Sequence, residues 1–131
     1  MRDLGLYLTR LPRPFYLLGA ATLVVALFWG GSQPFAVGLF PVPYDKLAHS
    51  LYFATLSLLL WFGTVGRWPV LLFVAVSAIG GLDELNQATL PGRQAGFDDF
   101  LTDMVAAGVV IAVLEKYKAW LTELRYGKNG A

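Results

Sequence analysis

Long apolar stretches alternate along the chain with short breaks that carry glycine, proline or charge. No charged residue occurs between Arg13 and Asp45, for example. Because a helix that crosses a membrane needs about 20 mostly apolar residues at about 1.5 Å each, the pattern predicts an all-α membrane protein. Its four predicted transmembrane helices cover residues 15–31, 46–65, 69–87 and 98–114.

The segments between the predicted helices are too short or too broken to span a membrane. Residues 35–44 are apolar, but two prolines interrupt them, so we expect a loop at the membrane interface. The glycines and proline in 66–68 and 90–93 are typical of tight turns. A polar, partly amphipathic tail begins at Glu115.

Composition narrows the class of protein. The 131 residues fit one domain, and 56% of them are hydrophobic while 15% are charged. A soluble domain of this size needs more polar surface, so lipid is the expected solvent. The absence of cysteine excludes disulfides and thiolate chemistry. A net charge of +1 gives no reason to expect a nucleic-acid partner.

The distribution of charge predicts the orientation of the helices. With four spans, both termini and the 66–68 turn lie on one side of the membrane. Of the ten basic residues, only Lys46 and Arg93 lie on the other side, so the positive-inside rule places both termini in the cytoplasm. The basic residues near the N-terminus resemble a signal peptide, but we expect an uncleaved span. The cytoplasmic set is Arg2, Arg10, Arg13, Arg67, Lys116, Lys118, Arg125 and Lys128.

Polar side chains gather at the outer ends of the second, third and fourth predicted helices. Residues four apart share one helix face, which applies to Asp45 and His49. The same spacing relates Asp99 to Asp103. The full set is Asp45, Lys46, His49, Asp83, Glu84, Gln87, Arg93, Asp98, Asp99 and Asp103.

The depth of the acidic residues makes this cluster a candidate site. A count of about 20 residues from the cytoplasmic side places four acids below the membrane surface, namely Asp83, Glu84, Asp99 and Asp103. Charged groups at such depth cost a few kcal/mol each, so we expect them to face one another, a cation or water. Structural roles are open as well, because Asp45 can cap its helix and Lys46 can extend to the interface.

The order of these residues resembles the VanZ-like family of small membrane proteins. The match comprises Asp45-Lys46-Leu47-Ala48-His49, Asp83-Glu84-Leu85-Asn86-Gln87, Pro91-Gly92-Arg93 and Asp99. Asp103 and Ala106 depart from the pattern, because the family usually has asparagine and glycine there. The resemblance implies that the matched polar residues form the site, on the outer face of the bacterial cytoplasmic membrane. It also implies a link to the cell envelope, since the family is named after a protein associated with low-level teicoplanin resistance.

One hypothesis is a membrane-embedded hydrolase or transferase that acts on a phosphate-bearing lipid or a lipid-linked cell-envelope precursor. His49 would be general base or nucleophile, oriented by Asp45. The candidate catalytic residues are His49, Asp45 and Glu84. The candidate ligands of a phosphate or head group are Lys46, Arg93 and Gln87. The candidate oxygen ligands of a divalent cation, Mg²⁺ or Ca²⁺, are Asp83, Glu84 and Asp99.

Two further hypotheses involve no turnover. The polar network could shape a pocket that holds a lipid or precursor and so changes susceptibility to lipoglycopeptides. Alternatively the charges, Arg93 among them, only lock the helices together. The expected partners under the first two hypotheses are membrane lipids or a lipid-linked precursor.

Overall fold

A computed structural model of the chain describes residues 11–127. This part folds into four α-helices, and a one-turn 3-10 helix at Pro34–Ala36 lies in the first loop. The α-helices are α1 Arg13–Gly31, α2 Tyr44–Thr64, α3 Pro69–Ala88 and α4 Phe97–Tyr126. The all-helical prediction is confirmed. Three basic residues used to predict orientation lie outside the described range, namely Arg2, Arg10 and Lys128.

The helix boundaries follow from local sequence. Proline in the first turn of α1 and α3 has a φ angle that suits a helix and lacks an N–H that would have no partner there. The α2–α3 connection is tight because Val65 and Gly66 both adopt left-handed backbone conformations, with φ angles of 57° and 55°. Hydroxyl groups inside the helices donate to the carbonyl four residues earlier, as Ser57 does to Phe53 at 2.7 Å.

Successive helices run antiparallel. Tyr52 Oη of α2 donates to the carbonyl of Leu23 in α1, and Gly63 at the other end of α2 lies against Leu17. In the same way Gly80 of α3 lies against Asp103 of α4. The starts of α2 and α4 and the end of α3 therefore meet at one end of the bundle.

At the other end of the bundle, α4 contacts the end of α2 and the α2–α3 turn. The indole Nε1 of buried Trp61 donates to Glu115 Oε1 at 2.7 Å. Lys118 Nζ donates to the carbonyl of Gly66, also at 2.7 Å. α4 thus runs beside most of α2. It then continues as helix through the polar tail to Tyr126.

Apolar side chains cover the outside of the bundle, and a small apolar core lies within it. Phe53, Leu56 and Val76 are fully buried. In contrast, large apolar residues on every helix face outward with exposed fractions of 60–75%, among them Val25, Leu51, Val70, Leu85 and Val105. Apolar surface of this extent is not expected of a protein dissolved in water.

The number of spanning helices is only partly as predicted. α1, α2 and α3 are each long and apolar enough to cross a membrane, which indicates a multi-pass membrane protein. α4 lacks a comparable stretch. Its uncharged part is residues 104–114, because Asp103 precedes it and Glu115 follows.

Candidate functional site

Lys46 joins the start of α2 to the start of α4. Its Nζ lies 2.5 Å from Asp98 Oδ2 and 2.9 Å from Asp99 Oδ1. The Asp99 side chain is largely buried, whereas that of Asp98 is 71% exposed. The predicted phosphate ligand Lys46, whose side chain is 40% exposed, is therefore already paired with two carboxylates.

His49 lies one turn deeper in α2 and contacts α4. Its Nδ1 is 3.0 Å from Oδ1 of Asp103, whose carboxylate is only 1% exposed. The sequence-based pairing of His49 with Asp45 was wrong, because Asp45 Oδ1 instead accepts from the backbone N–H of Lys46 at 2.8 Å. Asp45 therefore serves its own helix terminus, where a carboxylate favours the helix dipole.

The two acidic residues at the end of α3 are buried, and each accepts a hydrogen bond from a different partner. Asp83, 1% exposed, accepts a hydrogen bond at its Oδ2 from Gln87 Nε2 at 2.7 Å. Glu84, 8% exposed, accepts at Oε2 from the backbone N–H of Gly96 at 2.7 Å. Gly96 is the residue just before α4, so Glu84 ties the end of α3 to the start of α4.

Arg93 connects the α3–α4 loop to the first loop. Its Nη1 donates to the carbonyl of Ala36 at 2.9 Å, and its buried Nε has no partner in the part of the chain that the structure describes. Beside it lies a cavity of about 280 Å³. The polar side chains that line the cavity are Asp45, His49, Gln87, Arg93, Gln94 and Asp99.

The side chains that lie close enough together to hold one metal ion differ from the predicted set of cation ligands. His49, Glu84 and Asp103 each offer one ligand atom, and these atoms lie within 4.8 Å of one another. Of the predicted cation ligands, Asp83 is instead bonded to Gln87 and Asp99 to Lys46. Glu84 is common to both sets.

The sequence drew attention to most of these residues but missed the central place of Asp103. Asp103 was assigned no role, since it departs from the pattern of the resembling family. The signal that could have found it is its spacing of four from Asp99, which puts both acids on the α4 face that meets α2. Gly96 and Ala36 contribute only backbone atoms, which carry no sequence signature.

Charge is unevenly balanced at this end of the bundle. Six carboxylates gather there, and among the described residues Lys46 and Arg93 are the cations beside them. The carboxylates are Asp45, Asp83, Glu84, Asp98, Asp99 and Asp103. Buried carboxylates in excess of cations must share protons or attract a further cation. The site can therefore bind a positive ion, and through Arg93, His49 and Gln87 it can also donate hydrogen bonds to an anion.

Fold and site together define a helical membrane protein with a polar, partly buried pocket at one end. No family model, curated protein or solved structure matches the chain. The resemblance to the VanZ-like family therefore stays a prediction that is based on the residue pattern alone.

Proposed function

We propose that α4 is a fourth transmembrane helix and that the pocket faces the outside of a bacterial cytoplasmic membrane. Asp99 and Glu115 are 16 residues apart, so about 24 Å separates the two ends at which α4 contacts α2. This is close to the hydrocarbon thickness of about 30 Å. A helix that runs this far beside two apolar neighbours would cross the same layer. The basic residues of the opposite end support its cytoplasmic position.

The proposed function is to bind the phosphate-bearing head group of a lipid or of a lipid-linked cell-envelope precursor. The observation that carries it is the cavity of about 280 Å³, because His49, Gln87 and Arg93 line it together. Its volume lies just below the usual range of about 300–1,000 Å³ for ligand pockets, which suits a head group rather than a whole lipid. The apolar outer surface of the helices would leave the tails in the bilayer.

Hydrolysis of the bound phosphate ester is a second candidate function, favoured by the contact between His49 and buried Asp103. Asp103 would hold the proton on Nδ1 and leave Nε2 as the proton acceptor. Water would attack phosphorus, and the bond from phosphorus to the lipid oxygen would break as the new bond forms. His49 would take a proton from the water and return it to the departing oxygen, which gives a lipid alcohol and phosphate.

Binding without turnover also has an observation in its favour. Lys46 is paired with two carboxylates, and Gln87 with Asp83, so much of the polar network is satisfied within the protein. Such a network holds a pocket in shape. A protein of this kind would retain a lipid or wall precursor and so alter the access of lipoglycopeptides to the envelope.

The test uses the full chain purified in lipid nanodiscs with phosphatidic acid, phosphatidylglycerol or a polyprenyl phosphate, and diacylglycerol as the uncharged control. Native mass spectrometry reports retained lipid, and product analysis reports turnover. Arg93→Gln should lower retention of the phosphate-bearing lipids, whereas Arg67→Gln at the opposite end should not. His49→Gln should abolish turnover and leave retention largely intact.

The outcomes separate the candidates. Retention without product favours the binding protein, and product that depends on His49 favours the hydrolase. If no phosphate-bearing lipid is retained above diacylglycerol, and none is converted, both are wrong. The polar network would then serve only to hold the helices together.

A further inference from the structure

We propose that His49, Glu84 and Asp103 form a binding site for one divalent transition-metal ion. The three residues come from α2, α3 and α4, and their ligand atoms lie within 4.8 Å of one another. Metal–ligand bonds of about 2.0–2.2 Å place neighbouring ligand atoms about 3–3.5 Å apart. Small side-chain shifts, without movement of the helices, would therefore close the site around an ion.

Two buried oxygens in this group have no hydrogen-bond partner within residues 11–127. They are Oε1 of Glu84 and Oδ2 of Asp103, in residues that are 8% and 1% exposed. Buried acceptors without donors are costly and are rare in folded proteins. A bound cation would satisfy both oxygens at once.

The basic side chains at this end do not satisfy these oxygens. Lys46 bonds to Asp98 and Asp99, and Arg93 donates to the carbonyl of Ala36. The positive charge that the two oxygens need must therefore come from protons or from an ion. The arrangement of three metal-ligating side chains on three helices favours the ion.

The donor set points to the class of metal. One imidazole nitrogen with two carboxylates suits Zn²⁺ and similar transition metals, whereas Ca²⁺ and Mg²⁺ prefer oxygen ligands and bind six or more of them. The sequence-based set of Asp83, Glu84 and Asp99 contained oxygen donors alone, so His49 changes the expected metal. Three protein ligands leave a coordination position open to water or to an anion.

The metal site goes beyond the proposed function, because an ion can bind whether or not a lipid does. It also changes the role of His49. As a ligand, His49 could not serve as general base, and any hydrolysis would depend on the metal. Metal binding and lipid retention are therefore measured separately.

The experiment uses the full chain in nanodiscs, stripped with a chelator and titrated with Co²⁺, whose visible absorption reports nitrogen and oxygen ligands. Zn²⁺ content after desalting is measured in parallel. We expect one equivalent of either ion in the wild type. Glu84→Gln and Asp103→Asn should each weaken Co²⁺ binding at least tenfold. Asp98→Asn is the matched control, because it removes an exposed acid at the same end and should bind as the wild type does.

Circular dichroism and size-exclusion chromatography show which variants fold, and either ligand variant alone suffices for the test. Equal Co²⁺ binding by the wild type and a folded ligand variant overturns the proposal, as does the absence of stoichiometric binding in the wild type. Lipid retention by the chelator-treated wild type, together with no metal binding, would leave the head-group function standing while the metal site fails. Metal binding without lipid retention would give the reverse result.

Discussion

The side-chain contacts between α2 and α4 at the site join residues that are far apart in the sequence. Lys46 and Asp99 are in contact although 53 positions separate them in the sequence, and His49 and Asp103 are 54 positions apart. Helix periodicity predicts which residues share a face of one helix, but the relative height of two helices depends on packing along their whole length. The sequence could therefore draw attention to these residues, whereas it could not predict their pairing, including the partner of His49.

The contact of Lys46 with Asp99 should contribute more to stability than its contact with Asp98. Lys46→Met keeps the apolar stem but leaves the largely buried Asp99 without its cation. We expect a clearly lower thermal unfolding temperature in detergent. Asp98→Asn should change it little, because the Asp98 side chain is 71% exposed and such pairs contribute little.

A double variant provides the check on this interpretation. Adding Asp99→Asn to Lys46→Met removes the uncompensated charge and should restore part of the lost stability. Equal losses for Lys46→Met and Asp98→Asn, or no recovery in the double variant, would contradict the assigned contacts.

Among the elements, α3 and α4 pack closely because glycine faces the site. A Cβ atom added at Gly80 would lie 3.2 Å from Asp103 Oδ2 and 3.5 Å from Phe53 Cε1. Both neighbours are buried and have little room to move. At Gly81 an added Cβ would lie 3.6 Å from Phe100 Cε2, which is an ordinary van der Waals distance.

These two neighbouring glycines should therefore respond to alanine in opposite directions. Gly80→Ala should destabilise the protein by about 1–3 kcal/mol through overpacking. Gly81→Ala should be neutral or stabilise it by about 0.5–1 kcal/mol, because alanine loses less backbone freedom than glycine in a helix. Reversible unfolding in mixed detergent micelles measures both. A larger loss for Gly81→Ala would show that the α3–α4 interface is misplaced.

The first and last residues of a helix were easier to predict from the sequence than the contacts between helices. Prolines, glycines and charges bracket α1, α2 and α3, and the predicted ends agree with the structure to within two residues. The end of α4 is different. Residues 115–126 are too polar to predict as a span, yet they remain helical, and contacts of Glu115 and Lys118 fix the beginning of this segment to the α2–α3 turn.

Considered as a whole, the molecule has an apolar exterior and a charged interior at one end. This arrangement is stable where the surroundings are lipid, because apolar side chains then need no cover and the acidic side chains are kept out of the hydrocarbon, beside Lys46 and Arg93. The proposed membrane topology is tested most directly by determining on which side of the membrane each loop lies.

The absence of native cysteine makes that test simple. Single variants Gln94→Cys, Arg67→Cys and Lys116→Cys are exposed to a membrane-impermeant maleimide in intact cells. Gln94→Cys should react at once, and the other two only after the membrane is permeabilised. Reaction of Lys116→Cys together with Gln94→Cys would mean that α4 does not span. A fully inverted pattern would retain four spans but reverse the orientation.

α4 is one unbroken helix that carries an acid of the pocket at Asp103 and the anchor of the far turn at Glu115. A continuous helix of this kind transmits much of a displacement at one end to the other, because it bends only gently. If a bound ligand drew Asp103 toward α3, α4 would pivot about the contact between Glu115 and Trp61. The part of α4 after Glu115 would then move in the opposite direction. A change in the pocket would thereby produce motion at the opposite end of the bundle.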